Sequence, residues 1–148
     1  GSGASVAAKN KNGYTPLRTA ARRGKAVMVQ LLLLHGANKD AVNNQRTPLH
    51  VATYFGHSAA ALALLTAGAD ISLRCGRYNA PVIHQAARQE HVEIMRAVVE
   101  HGADVDALDA DQNTALHVAA RSNKLGPLHV LIGAGANIEA RDRHGYTP

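Results

Sequence analysis

The chain has 148 residues, about the size of one ordinary domain, and carries a net charge of +5. Hydrophobic residues make up 46%, enough for a packed interior, and charged residues at 18% are too few for a disordered chain. The single cysteine, Cys75, excludes an internal disulfide and a multi-cysteine metal site, and no run reaches the ~18 apolar residues of a membrane span.

Taken in chain order, Gly1-Ser2-Gly3-Ala4-Ser5 reads as a cloning scar, and residues 1–7 as a tail without a signal peptide's basic-then-apolar pattern. Residues 8–12 read as the end of a preceding repeat. The first complete repeat, about 10–41, opens at Thr15-Pro16, turns at Gly24, and closes with Leu31-Leu32-Leu33 and Gly36-Ala37. The second, about 42–75, states the pattern most clearly. Thr47 is suited to cap a helix and Pro48 to fill its first position. Leu49, Ala52 and Thr53 continue at helical spacing to about Phe55, where Gly56 ends the helix. A second helix starts near Ser58, presents Ala61, Leu62, Leu64 and Leu65, and stops at Gly68-Ala69. The polar residues that follow are too few for another helix and suit a projecting turn or β-hairpin.

The third repeat, about 76–108, uses Ile83, Ala86-Ala87, Ile94, Val98-Val99 and Gly102-Ala103. The fourth, about 109–141, uses Thr114, Ala119-Ala120, Leu128, Val130-Leu131-Ile132 and Gly135-Ala136. The Gly-Ala pairs are 32, 34 and 33 residues apart. A fixed period of this length means stacked units sharing one continuous core, each stable only against its neighbours. Residues 142–148 begin a fifth repeat that stops at Thr147-Pro148. That stop, and the lack of a polar cap over Val130-Leu131-Ile132, read as a fragment of a larger protein.

The string Thr47-Pro48-Leu49-His50-Val51-Ala52, then Gly56-His57, Leu64-Leu65 and Gly68-Ala69, resembles an ankyrin repeat, and Thr114-Ala115-Leu116-His117-Val118-Ala119-Ala120 restates it. The resemblance covers residues 8–148. It implies an all-α repeat solenoid of stacked helix-turn-helix repeats joined by β-turn or hairpin loops, with a concave face made by the loops and first helices. It also implies a structural role for His50, His84 and His117, their rings bonding backbone between repeats. Several positions depart from the pattern. Pro81-Val82 replaces Thr-Pro, one extra residue lies within 72–79, and Arg18 replaces the signature histidine. Leu34 sits where an exposed polar residue is usual, and Pro127 is tolerable only in a first helical turn. Glu90 and Asn123 occupy the mid-repeat glycine slot, where a left-handed Glu90 would cost about 1–2 kcal/mol. The third repeat is expected to be the least regular, and the turn before it the most distorted.

Catalytic and metal patterns are missing from the sequence. There is no His-Glu-x-x-His, no phosphate-binding glycine loop and no nucleophile elbow, so no catalytic residue, metal or cofactor is expected. Seven of the nine histidines recur at the repeat period. Asp104, Asp106, Asp109 and Asp111 read as a solvated acidic hairpin rather than a calcium loop. The lone thiol fits a reducing, intracellular setting, cytoplasmic or nuclear.

Only 3% of residues are aromatic and there is no Trp, so Ala, Leu and Val must fill the interior. By the resemblance, Tyr14, Tyr54, Phe55, Tyr78 and Tyr146 fall on variable concave positions, shared with Arg22, Arg23, Arg46, Arg77, Arg88 and Arg121. Arg22, Tyr54, Arg88 and Arg121 take one equivalent slot in the four repeats. Arginine and aromatic side chains are common interface anchors, and arginine forks pair with carboxylate or phosphate. The charge is also polar along the chain: residues 1–80 carry a net +8 and residues 81–148 a net −3. The leading expectation is a non-enzymatic, monomeric interaction module binding a protein or peptide, acidic or phosphorylated, through Tyr14, Arg22, Arg23, Arg46, Tyr54, Phe55, Arg77, Tyr78, Arg88 and Arg121. One alternative is nucleotide or nucleic-acid binding through the basic N-terminal half. Another is a regulatory or targeting domain of a larger enzyme or membrane protein.

Overall fold

Threonine hydroxyls start three of the first helices. In a computed structural model that describes residues 5–148, Thr15, Thr47 and Thr114 each stand in extended backbone and accept the amide of the third helical residue. That satisfies one orphan donor of the first turn. The helices that follow are α1 (Pro16–Arg22), α3 (Pro48–Tyr54) and α7 (Ala115–Arg121). Their partners after a glycine or asparagine turn are α2 (Ala26–Leu34), α4 (Ser58–Thr66) and α8 (Leu125–Gly133). The third pair is α5 (Val82–Gln89) and α6 (Val92–Glu100). Pro127 falls in the first turn of α8, where its missing N–H breaks no intrahelical bond.

Left-handed turns separate the helices of each pair. Gly24 and Gly56 adopt φ of 65° and 73° without penalty. Glu90 takes φ 60° in the same slot, at a cost of about 1–2 kcal/mol. Its carboxylate meets Lys124 Nζ at 3.2 Å, and this partly exposed pair offsets at most about 0.5 kcal/mol. Asn123, at φ 52°, tolerates the conformation better.

The fold contains two compact units, Gly1–Asp70 and Ile71–Pro148. In the first, α1 packs on α3 and α2 on α4; in the second, α5 packs on α7 and α6 on α8. First helices therefore lie beside first helices and second beside second. The N-terminal core is built from Leu17, Ala20, Ala21, Val29, Leu49, Ala52, Leu64 and Leu65. The C-terminal core uses Ile83, Ala86, Ile94, Met95, Val98, Leu116, Ala119 and Leu131. Alanines at the first-helix contacts let these short helices approach closely, and the branched residues of the second helices fill the layer behind them.

Among the described residues the expected hairpins shorten to turns. Only two isolated antiparallel bridges form, Asn43 with Arg46 and Cys75 with Ala80. The turns also absorb the irregular period. The amide-to-carbonyl closure spans four residues from Asn10 to Tyr14, Asp109 to Asn113 and Asp142 to Tyr146. It spans three from Asn43 to Arg46 and five from Cys75 to Ala80. Asn44 and Gln45, both at positive φ, make the tightest turn. The extra residue of the third repeat thus lies in the turn 76–79, outside the helices.

The signature histidines bond as the resemblance implies in the C-terminal unit. His84 Nε2–H donates to the Asn113 carbonyl at 2.9 Å, and His117 Nε2–H to the Tyr146 carbonyl at 2.9 Å. With the proton on Nε2, Nδ1 is an acceptor. Thr114 donates its hydroxyl to Nδ1 of His117 at 2.9 Å, and the Thr47 hydroxyl lies in hydrogen-bond contact with Nδ1 of His50 at 2.8 Å. Pro81 has no hydroxyl, and the buried His84 Nδ1 has no hydrogen-bond partner. Burial pushes the His84 ring below its ordinary pKa, opposed by the bond to the Asn113 carbonyl. A histidine held neutral in the fold takes up its proton more readily when unfolded. Its stabilising effect is therefore complete above about pH 6.5 and declines as pH falls toward the folded value. Urea midpoints are expected to be flat between pH 7 and 8 and to drop below about pH 6.5, by at most ~1.4 kcal/mol per pH unit for this one proton. A His84→Gln protein with the same acid slope would disprove the assignment.

Candidate functional site

In the N-terminal unit the end of α3 exposes two neighbouring rings. Tyr54 and Phe55 meet edge to face, with centroids 5.1 Å apart and planes at 83°. They escape the core because Ala52 and Thr53 take the buried positions of the last turn. Arg46, at the end of the tight turn, lays its guanidinium 4.4 Å over Tyr54. Arg22, at the end of α1, stands 5.7 Å from the Phe55 centroid. The His57 ring stacks near Phe55 at 6.2 Å and donates Nε2–H to the Arg22 carbonyl at 3.0 Å. It also covers Gly24, where a Cβ would lie 2.6 Å from the ring, so any side chain at 24 would displace it.

Tyr14 and Arg23 are placed differently. Tyr14 is half-buried, and its ring lies 3.7 Å from the guanidinium carbon of Arg18, which takes the signature histidine's position. Burial lowers the Arg18 pKa below its ordinary value, and the Tyr14 hydroxyl opposes the shift. Arg23 lines a groove of about 580 Å³ with Lys9, Tyr14, Lys25, Met28 and Leu32, a groove that contains none of Arg22, Tyr54 and Phe55.

In the C-terminal unit Tyr78 projects from the turn 76–79. Arg88 of α5 covers its ring at 4.0 Å, and Arg77 stands at 5.8 Å. The Tyr78 carbonyl accepts the Ala110 amide at 2.9 Å, which ties this turn to the next. Tyr78, Arg88 and Arg121 line a cleft of about 130 Å³ that also contains Asp109 and Asp111. Arg121 does not meet a ring. Its Nη2 donates to Asn113 Oδ1 at 2.9 Å and lies 3.8 Å from the Asp142 carboxylate. Tyr146 is exposed beside His144.

The acidic turn needs correction. Asp104 is exposed, but Asp109 is only 5% exposed and structural. Its Oδ1 accepts the amides of Asp111 and Asn113, both at 2.9 Å, and its two oxygens receive Asn113 Nδ2 at 3.1 and 3.2 Å. Asp142 repeats the arrangement toward the amides of His144 and Tyr146. Burial would raise the Asp142 carboxyl, yet these amide bonds outweigh it and hold the group below the usual carboxylate range. The signal was in the sequence: Asn10, Asp109 and Asp142 each stand four residues before the residue that closes the turn. Asx residues commonly bond backbone two residues on. Asp111 pairs with Arg143 at 2.7 Å.

Chemically, these groups offer flat arginine–aromatic pairs. A guanidinium over a ring gains about 0.5–1 kcal/mol at an exposed site and keeps an N–H edge for an anion. A family model described as ankyrin repeats (3 copies) matches residues 2–75 and again residues 73–142. The chain belongs to the ankyrin-repeat family.

Ankyrin repeats are protein-interaction modules, and their fold is typically non-catalytic. The chain is 35% identical over 127 residues to a Caenorhabditis elegans transient receptor potential cation channel subfamily A member 1 homolog, covering 85% of the chain and 10% of that protein. It is 35% identical over 149 residues to human SH3 and multiple ankyrin repeat domains protein 2, covering 99% of the chain and 8% of that protein. A rat 85/88 kDa calcium-independent phospholipase A2 is 35% identical over 110 residues, covering 74% of the chain and 13% of that protein. The chain thus spans about a tenth of the length of these relatives. Among the described residues no helix of this ankyrin chain is long and apolar enough to cross a membrane.

Proposed function

We propose that this chain holds a partner protein through its exposed arginine–aromatic pairs, and that the bound segment is acidic or phosphorylated. The observation that carries this reading is the repeated placement of arginine against exposed rings: Arg22 at Phe55, Arg46 over Tyr54, and Arg77 and Arg88 at Tyr78. Each ring restrains its guanidinium before a partner arrives, so less side-chain freedom is lost on binding. Tyr54 and Phe55 supply the apolar anchor and the arginine edges pair with carboxylate or phosphate. Arg121 has a lesser part, because Asn113 and Asp142 already engage it. The large size of the relatives supports a role as a regulatory or targeting segment of a longer protein.

A second reading, nucleotide or nucleic-acid binding, draws on the charge of the N-terminal unit, which holds eight Lys/Arg and two acids. Titrations with a labelled acidic phosphopeptide and with oligothymidylate at low and high salt separate the two. For the first reading, the peptide binds, and Tyr54→Ala/Phe55→Ala weakens it at least about tenfold, some 1.4 kcal/mol. An oligonucleotide that binds more tightly, with affinity falling steeply as salt rises, would favour the second.

A further inference from the structure

The second helices of the N-terminal unit are apolar on a face where the fold requires nothing apolar. Outward positions of the four second helices align at Val27, Gln30 and Leu34 in α2, and Ala59, Leu62 and Thr66 in α4. They are Glu93, Arg96 and Glu100 in α6, and Gly126, His129 and Gly133 in α8. The α6 set is charged and exposed, so the same scaffold folds with a polar outer face. In α2, Val27 and Leu34 are 78% and 81% exposed, and Leu62 of α4 is also exposed. Between α2 and α4 runs an open groove of about 590 Å³, framed mainly by Leu33, Leu34, Leu62 and alanines with Gln30 and Thr66 among them, and among the described residues no ionisable side chain lines it.

One end of this groove is basic. Lys39 lies beyond the C-terminal end of α2, its Cε 3.9 Å from where a Gly68 Cβ would stand, next to the groove residue Ala67. Residues 1–70 contain only two acids, Asp40 and Asp70, and the Asp40 carboxylate is engaged by the Asp70 amide at 2.8 Å. A largely apolar trough between two helices, with Lys39 at one end and a unit of eight Lys/Arg against two acids around it, is complementary to a helix whose leucine stripe is bordered by acids. A second copy of this unit would bring like charges together. None of the groove residues belongs to the Tyr54–Phe55 cluster.

We propose that the α2–α4 outer face docks an acidic amphipathic helix of a partner protein, independently of the arginine–aromatic surface. The probe is a labelled synthetic helical peptide with a leucine stripe flanked by glutamates, titrated beside a scrambled peptide of equal composition. The expected result is tighter binding by the first peptide than by the scrambled one. Leu34→Glu/Leu62→Glu should weaken it at least about tenfold and Lys39→Glu should weaken it too, while Tyr54→Ala/Phe55→Ala leaves the difference between the two peptides unchanged. Both leucines are exposed, and an unchanged circular dichroism spectrum and thermal midpoint would show that their replacement spares the fold. Equal binding of the scrambled peptide, or loss only in the Tyr54/Phe55 variant, would overturn the proposal. So would self-association abolished by Leu34→Glu, which makes the occupant a second copy. Binding to phosphatidylserine vesicles without binding to the peptide would assign the face to a lipid surface instead.

Discussion

Asp109→Ala is expected to lower the unfolding free energy by about 2–3 kcal/mol, more than its place in an acidic loop suggests. The carboxylate holds the Asp111 and Asn113 amides and the Asn113 side chain. Asn113 is itself a junction. Its carbonyl accepts from His84 Nε2 and from the Asp109 amide, and its Oδ1 accepts from Arg121. Removing the carboxylate strands two buried donors on Asn113, and each unpaired buried group costs about 1–3 kcal/mol. Asp109→Asn keeps one acceptor oxygen and is expected to cost about half as much. Asp104, exposed and bonded locally to the Asp106 amide, is the control, with Asp104→Ala staying within about 0.5 kcal/mol. Urea titrations followed by far-ultraviolet circular dichroism provide the comparison. If Asp109→Ala matched Asp104→Ala, the role assigned to the buried carboxylate would be wrong.

Pro81→Thr should move stability the other way, by about 1 kcal/mol, raising the thermal midpoint by roughly 2–4 °C. Pro81 has φ −63° and ψ 162°, close to the −80° and 164° of Thr47, so threonine fits without moving backbone. At present the His84 amide turns to the Pro81 carbonyl at 3.1 Å, and His84 Nδ1 has no partner. A hydroxyl at 81 would cap the first turn of α5 and donate to that nitrogen, as Thr114 does for His117 at 2.9 Å. Two gains of about 1 kcal/mol each are offset by the conformational freedom that losing proline returns to the unfolded chain, some 0.4–1 kcal/mol. Pro81→Val supplies the same shape without the hydroxyl and should be neutral or destabilising. A valine variant as stable as the threonine one would show that the hydroxyl contributes nothing.

Legibility was greatest where the physics is local. Thr47 and Thr114 cap as their side-chain oxygens allow, Gly56 and Gly68 turn left-handed, and the slot shared by Gly24, Gly56, Glu90 and Asn123 stays left-handed whatever residue fills it. Exposure of Tyr54, Phe55, Tyr78 and Tyr146 followed from their absence at core positions, while Tyr14 is half-buried. Pairing did not. Nothing in the chain order says that Arg22 faces Phe55, or that Arg121 turns to Asn113 and Asp142 while Arg88 covers Tyr78. Arg18 stands where the signature histidine is missing, and only the structure shows its guanidinium against Tyr14.

The sequence alone determined the repeat, its helix ends and its apolar interior, because caps, turns and helical periodicity act within a few residues of one another. Tertiary structure decided which polar groups are buried and which are free. The His84 and His117 rings reach carbonyls 29 residues away, and Asp109 is sealed in by that same contact region. Whether a carboxylate becomes a solvated charge or a structural anchor depends on what the neighbouring layer places over it. That layer is brought near by stacking, not by sequence proximity.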